Sequence, residues 1–468
     1  MPAPAAGRPP SSSFQDLDIS SGGPASGLMA SGPRFDATVG APPTAADASP
    51  DLAVTVGNPA KVGEGMSAFF TYQVTTKTSL PQYAYAEFSV TRRFRDFDWL
   101  HTQLCNKFPG AIVPPLPEKH AAQVSTYKVT GQPQSAAWLE DRRSQLQRFL
   151  QRLVAHPMLH TAADLQAFLE KTDDALESWK ERSKPKGSAS YSLADVKTGL
   201  LSVGTKSMSL FGGETPPPNF TPLTDVPCQQ MSNYTNAMQM QVASVHKHAH
   251  SYIERHRALG ASMTGFGLAL TQLAECEKSI NESLAKGISS MGLCVGRLSA
   301  TYTELAERET STFDEPMKEY VRILGAVKAA ITARDTALRA HNLTQSTMLS
   351  KKERLEKLRA KGGNEEKAAT LGREVTEAEE AANLAKAEYE AVAARVDAEM
   401  GRFQAEKLTD FKTMVTGFIS LQLEYSTRIQ QAWRDLLPRL EEIDVGASSG
   451  IRVMVPSAPI ESNFAPIE

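Results

Sequence analysis

The sequence predicts two structural classes in one chain: a small α+β domain with a three-stranded antiparallel sheet plus a helical subdomain, followed by an all-α, elongated three-helix region. Three observations predict it. Short stretches rich in β-branched and aromatic residues, punctuated by Gly, Pro and Ser, begin at Leu52. Helical periodicity follows directly, with a proline-rich loop between its segments. From about Pro222 to Leu440 the chain is nearly free of proline and helical in pattern throughout. A chain of 468 residues also exceeds one ordinary core, so several domains are expected.

Residues 1–50 are dominated by Pro, Gly, Ala and Ser. Their small apolar content does not offset the entropy of ordering, which predicts a disordered tail. "LAVTV", "AFFTYQVTT" and "EFSVTRRF" then read as three antiparallel strands. Asp96 stands where an N-cap is expected, before Phe97, Leu100, Leu104 and Phe108 at helical spacing, and Pro109-Gly110 ends that pattern. Beyond the loop "VPPLPEKH", a second helix carries Trp138, Leu139, Leu146, Phe149, Leu150 and Leu153. "HP" stops it, and "ADLQAFLE" closes a domain of residues 51–172.

Residues 173–220 read as a linker. Within it, about 191–211, Leu193, Val196, Leu200 and Val203 fall 3, 4 and 3 apart and define one apolar face. That face suits a helix lying in a membrane surface. The competing reading is a loosely ordered connector, because Gly199 and Gly204 lower helix propensity.

Residues 221–442 read as three long helices with breaks near 278–282 and 361–366, and residues 443–468 as a second disordered tail. Pro316 removes a backbone donor, so the middle helix should bend there. The third helix carries an apolar seam through Val392, Val396, Met400, Phe403, Phe411, Val415 and Phe418. Helices of 60–75 residues would extend roughly 90 to 110 Å, and one such bundle leaves apolar seam uncovered unless it pairs. Dimerisation is the expected solution.

A net charge of −3 with 22% charged residues excludes a globally basic nucleic-acid binder and leaves room only for local anion sites. The four cysteines lie far apart without CxxC spacing, which reads as reduced thiols rather than a zinc site. "MPAPAAGRPPSSSFQ" lacks a signal-peptide pattern, and no apolar run approaches bilayer length, so a cytoplasmic protein with peripheral membrane contact is expected. His246 and His250 share a helix face, but no carboxylate or cysteine adjoins them in sequence to complete a metal set. With no nucleophile triad, P-loop or paired-carboxylate signature, neither catalysis nor a cofactor is expected.

Three separated segments nevertheless supply cations beside this scaffold: "VTRRFRDFDWL", "VPPLPEKH" and "EDRRSQLQRFL". Guanidinium forks suit phosphate oxygens, an ammonium acts as a point charge, and an aromatic face supports a sugar-like ring. Arg93, Phe94, Lys119 and Arg142 supply all three kinds. Val124, Tyr127 and Val129 in the following loop either enter a bilayer beside the headgroup or pack on the domain. Lys351, Lys352, Arg354, Lys357, Arg359 and Lys361 gather before the predicted turn near 361. They contact membrane at the bundle tip, or form a salt-bridged face with Glu353 and Glu356.

In these motifs, "RRF" before an acid-aromatic helix start, Val113–Lys119 as ΨPxxPxK, and an arginine on the next helix, the first domain resembles the PX family. That resemblance implies binding of phosphatidylinositol 3-phosphate or a related lipid. Arg93 would hold the 3-phosphate, Phe94 would lie under the inositol ring, Lys119 would meet the 1-phosphate and Arg142 would bond ring hydroxyls, with Arg143 its alternative. Phe94 and Arg95 depart from the commoner Arg-Tyr-Ser-Asp-Phe pattern, and the extra charge of Arg95 leaves lipid selectivity open.

The linker and the helices with "HSYIERHRALG", "FDEPMKEYVRIL" and "AWRDLLPRL" extend the resemblance to PX-BAR sorting nexins over residues 50–442. This implies a dimeric curved BAR domain, an anionic membrane as partner, and residence on the cytosolic face of endosomes. It also implies a homodimer or a heterodimer with another BAR-type sorting nexin, and cargo sorting linked to the retromer cargo-recognition subcomplex. The rival class is a phosphoinositide-targeted coiled-coil scaffold or tether without remodelling activity.

Overall fold

The computed structural model describes residues 51–63, 69–118, 136–183, 220–360 and 365–444. Strands β1 (Leu52–Val62), β2 (Phe69–Thr78) and β3 (Glu87–Arg93) form one antiparallel sheet in the order β1-β2-β3. Val74 pairs with Val56 on one side and Val90 on the other. A bulge between Gly57 and Ala60 is turned by Asn58, whose φ of 46° lies in the left-handed region that asparagine tolerates.

Helix α1 (Phe94–Lys107) starts three residues earlier than the sequence suggests. Arg93, not Asp96, is its N-cap, because the β3 ladder runs through Arg93 to its partner Thr71 and the chain turns helical at once. Asp96 instead occupies the third helical position, and its carboxylate accepts the Arg93 N–H at 2.8 Å, the returning half of a capping box. Helices α2 (Ala136–Ala155) and α3 (Ala163–Glu170) complete the layer over the sheet, joined by a 3-10 turn at Leu159–Thr161. Tyr72, Val74, Phe97, Phe149, Leu150 and Phe168 fill the core between sheet and helices, with the Phe97 and Phe168 rings edge-on at 5.0 Å.

Residues 173–183, expected as the start of a polar linker, form helix α4 (Asp173–Ser183). It docks on the first domain through Trp179 Nε1, which donates to Asp164 at 2.9 Å, and through Lys180, 2.6 Å from Asp96. The amphipathic stretch 191–211 lies outside the described residues.

Helix α5 (Val226–Glu277) follows, then α6 (Glu282–Glu309) and α7 (Glu315–Ala360), which run on through a π turn at Thr310–Asp314, and finally α8 (Glu365–Glu441). These are the three expected long helices, and the π turn sits directly before Pro316, where the regular ladder loses a donor. Asp225 caps α5 by accepting the Cys228 N–H at 2.9 Å. At the crossing of α5 and α6 a β-carbon on Gly267 would fall 2.9 Å from the Gly292 carbonyl oxygen, so the close approach requires glycine there.

Candidate functional site

The run of three arginines separates by strand alternation. Arg92 points inward and is 1% exposed. Its guanidinium donates to the carbonyls of Phe168, at 2.8 Å, Lys171 and Thr91, and pairs with Asp173 at 2.9 Å. It ties β3 to α3 and α4 with four of its five N–H groups, and its fully buried side chain is turned away from a ligand. Arg95 is exposed on the first turn of α1.

Arg93 faces outward from the strand-to-helix junction with a side chain 37% exposed. Its guanidinium lies 5.8 Å from the Phe69 ring centroid. Its acidic neighbours are at long range, Glu177 at 3.4 Å and Asp96 at 3.7 Å. Such a half-exposed pair is weak, and a phosphate can compete for the guanidinium.

Arg142 approaches from α2. Its guanidinium carbon is 4.1 Å from the Phe94 ring centroid and 5.1 Å from that of Trp138, a geometry of aromatic faces around a cation. The Tyr72 hydroxyl and Arg142 Nη1 are buried, and the two side chains face each other with no further partner for these atoms among the described residues. Burial pushes the Tyr72 phenol up, against the opposing influence of Arg142. Arg143, the alternative in the motif, is committed elsewhere: its Nε bonds Glu140 at 2.9 Å and its Nη1 donates to the Val56 carbonyl at 2.6 Å. Of the two, it is Arg142 that lies over Phe94.

Arg142 thus gathers Phe94, Trp138 and Tyr72 about it, while Arg93, next to Phe94 in the chain, stands by Phe69; sequence reasoning did not assign Phe69, Tyr72 or Trp138 to the site. Phe70 packs edge-on to Trp138 at 6.5 Å, which joins β2 to α2 beside it. By the alternation of β2, Phe69 shares the face of Thr71, the cross-strand partner of Arg93, whereas Tyr72 lies on the inner face across from Arg92, an assignment visible only once the β2–β3 register is known. Lys119, Val124, Tyr127 and Val129 lie outside the described residues, as do Leu193, Val196, Leu200, Val203 and Lys361.

At the end of α7, Lys351 and Lys352 pair across to Glu374 and Glu379 of α8, at 3.5 and 2.6 Å, and Lys357 pairs with Glu353 at 2.5 Å. Arg354, Lys357 and Arg359 are solvent-exposed. The His246 and His250 pair has a carboxylate after all: Asp314, from the π turn, stands 3.3 Å from His246 Nε2 and 2.9 Å from His250 Nδ1. Sequence adjacency hid it, since Asp314 is 64 residues from His250. Among the described residues no group of three or more His, Cys, Asp or Glu side chains is arranged to hold a metal ion.

The helical region exposes a row that sequence reading passed over. Val245, Tyr252, Leu259, Phe266, Leu273 and Ile280 recur every seven residues and are all exposed. A strict seven-residue apolar repeat is the mark of a helix that pairs with another. On α8 the expected seam is buried from Val392 to Phe403, Phe411 and Phe418 are half-buried against Tyr320 and Phe313, and Val415 is exposed, as are Leu408, Ile419 and Leu423 beside it. No helix among the described residues is long and apolar enough to cross a membrane.

A three-stranded sheet with a guanidinium–aromatic cluster at its strand-to-helix junction, joined to three long helices with uncovered apolar rows, defines a phosphoinositide-binding module carried on a dimerising, membrane-shaping bundle. The PX domain family model matches residues 82–172 and the Vps5 C-terminal-like model residues 228–439. The chain is 31% identical over 400 residues to sorting nexin 1 of Arabidopsis thaliana, covering 85% of this chain and 95% of that protein. It is 28% identical over 396 residues to sorting nexin-2 of Homo sapiens, covering 84% and 73%. A cryo-EM structure of the SNX-BAR Mvp1 tetramer shares the fold, with a TM-score of 0.61 at 16% identity over 82% of this chain and 99% of that one. The chain belongs to the PX-BAR sorting nexins, of the sorting nexin 1 type. It is accordingly a membrane-binding, curvature-generating trafficking protein, from a family of non-enzymatic adaptors.

Proposed function

We propose that the chain recognises phosphatidylinositol 3-phosphate on the cytosolic face of endosomes and shapes that membrane during retromer-linked cargo sorting. The observation that carries the lipid reading is the contrast between the two neighbouring arginines, Arg92 consumed by the fold and Arg93 half-exposed beside the Arg142–Phe94 stack. Arg93 holds the 3-phosphate, Phe94 supports the inositol ring, Lys119 meets the 1-phosphate and Arg142 addresses ring hydroxyls. With Phe94 covered on one face by Arg142, the sugar uses its other face or edge.

Val124, Tyr127 and Val129, with the Leu193, Val196, Leu200 and Val203 stripe, supply shallow insertion beside the headgroup. Lys351, Lys352, Arg354, Lys357, Arg359 and Lys361 add diffuse attraction at the bundle tip, reduced by the glutamates that three of them meet. The exposed seven-residue row supports pairing of two bundles, as a homodimer or with another BAR-type sorting nexin. Two headgroup sites on one dimer then bind at high effective concentration. The retromer cargo-recognition subcomplex is the partner that the family resemblance suggests.

Electron microscopy of full-length protein on vesicles containing phosphatidylinositol 3-phosphate tests this reading. Coated tubules are expected. Densely coated but smooth vesicles would contradict the remodelling activity and favour the scaffold or tether.

A further inference from the structure

The proline segment of the lipid motif is not held by its own domain alone. Arg395 of α8 donates through Nη1 to the Pro109 carbonyl. Gly110, at φ +89°, lies so near α8 that an added β-carbon would meet Val396 Cγ2 at 3.0 Å and Val392 Cγ1 at 3.1 Å. The Ile112 side chain is buried in the same apolar cluster as Val392, Val396 and Phe403 of the bundle. Its N–H donates to Glu399 Oε2 at 2.9 Å.

Glu399 gathers the rest of the contact on that one oxygen. Oε2 also accepts from Arg402 Nη2 at 2.7 Å and meets His156 Nε2 at 3.1 Å. His156 Nδ1 accepts the Met158 and Leu159 N–H groups, both at 3.2 Å, which leaves the ring proton on Nε2 to donate to Glu399. Two of the three donors therefore belong to the sheet domain, at the base of its proline loop and at the end of α2. Beyond Ile112 a cavity of about 380 Å³ opens, with Pro114 and Pro115 in one wall and Arg402, Phe403 and Glu406 in the other. The domain is also held along α2, where Arg148 pairs with Glu319 at 2.6 Å, Arg152 with Asp410 at 3.3 Å and Gln145 accepts from Arg322 at 2.9 Å, but the proline loop itself is held at its base, residues 109–112.

We propose that Glu399 and Arg395, two side chains of the helical bundle, are positioning residues for headgroup recognition. They fix the base of the Val113–Glu118 loop, so the affinity of the sheet domain for a 3-phosphoinositide depends on its contact with α8. The proposal rests on the lipid reading given above. A loop whose base is already fixed loses less freedom when it closes on a ligand, which appears as affinity.

The test is calorimetric binding of water-soluble dibutanoyl phosphatidylinositol 3-phosphate to full-length protein, since a soluble lipid bypasses membrane contact by the bundle. Glu399→Ala should weaken binding roughly tenfold and Arg395→Ala roughly threefold, as expected when a recognition loop loses its support. Glu399→Gln, which keeps a carbonyl oxygen where the three donors converge, should recover most of the affinity. Particle mass by light scattering and sedimentation with phosphatidylserine vesicles lacking phosphoinositide should not change, which separates positioning from general damage. Unchanged lipid affinity in Glu399→Ala and Arg395→Ala, alongside its loss in Arg93→Ala, would overturn the proposal and leave the lipid site standing. Full affinity in Arg93→Ala would remove the lipid site and the proposal with it. If Glu399→Ala does not fold, Arg395→Ala decides by the same criterion.

Discussion

The guanidinium carbon of Arg142 stands 4.1 Å from the Phe94 ring centroid, with Trp138 on a second side at 5.1 Å. Only a planar, weakly hydrated cation fits between two aromatic faces while keeping N–H groups for a ligand. Arg142→Lys keeps the charge and loses the plane. Headgroup affinity should fall roughly tenfold, about 1.4 kcal/mol, in calorimetry with a soluble 3-phosphoinositide, while thermal stability changes little.

Glu177 of α4 shares its carboxylate between Arg93, at 3.4 Å, and Lys180, at 3.0 Å. It is a negative charge beside the arginine assigned to the 3-phosphate. Glu177→Gln should therefore raise headgroup affinity by roughly two- to fivefold, within the range of an exposed ion pair. The gain should shrink as salt is raised, because screening already weakens the acid in the native protein.

Asp225 caps α5 through the Cys228 N–H, pairs with Arg334 Nε at 2.6 Å and accepts the Tyr389 hydroxyl at 2.9 Å. Burial opposes the charged form of Asp225, but these donors outweigh it and its pKa is lowered. Asp225→Ala removes a cap and leaves buried Arg334 with the Asp397 carboxylate at 2.6 Å and the Ala393 carbonyl at 3.4 Å. The helical region should lose on the order of 3 kcal/mol in chemical denaturation.

Burial also opposes ionisation of Glu399, yet the hydrogen bonds from His156 and Arg402 bring its pKa down to about 2. Because the folded value lies below the ordinary 4.5, its contribution is fully present above about pH 4.5 and is lost as pH falls toward 2. Glu399→Gln has no such proton to gain. The stability difference between native protein and Glu399→Gln, followed by denaturation from pH 7 downward, should hold to about pH 4.5 and then narrow.

The folded elements were largely legible because they depend on local pattern. Strand composition before Arg93, the apolar spacing of α1 to α3 and the proline-poor run after 222 each point to one conformation. The helix start at Phe94 was misplaced because Asp96 suits both an N-cap and the third position, and only the strand ladder through Arg93 distinguishes them. Arg92 and Arg93 look alike in sequence. Strand alternation assigns them opposite faces, but which face is buried depends on α3 and α4, whose acceptors for Arg92 lie 76 to 81 residues away. Contacts between the domains were beyond reach for the same reason: Ile112 and Glu399 are 287 residues apart, and nothing local marks Glu399 among the acids of α8. The exposed row from Val245 to Ile280 was legible in principle, since a seven-residue repeat is a local signal.

The central claim is that Arg93 reads a phosphate on a membrane lipid. Co-sedimentation of full-length protein and Arg93→Ala should be measured on vesicles with phosphatidylinositol 3-phosphate and on matched vesicles with unphosphorylated phosphatidylinositol. Charge-assisted bonds of roughly 1.5–3 kcal/mol each predict that Arg93→Ala loses the preference for the 3-phosphate while its dimer mass and helix content remain native. Equal, undiminished preference in Arg93→Ala would contradict the account.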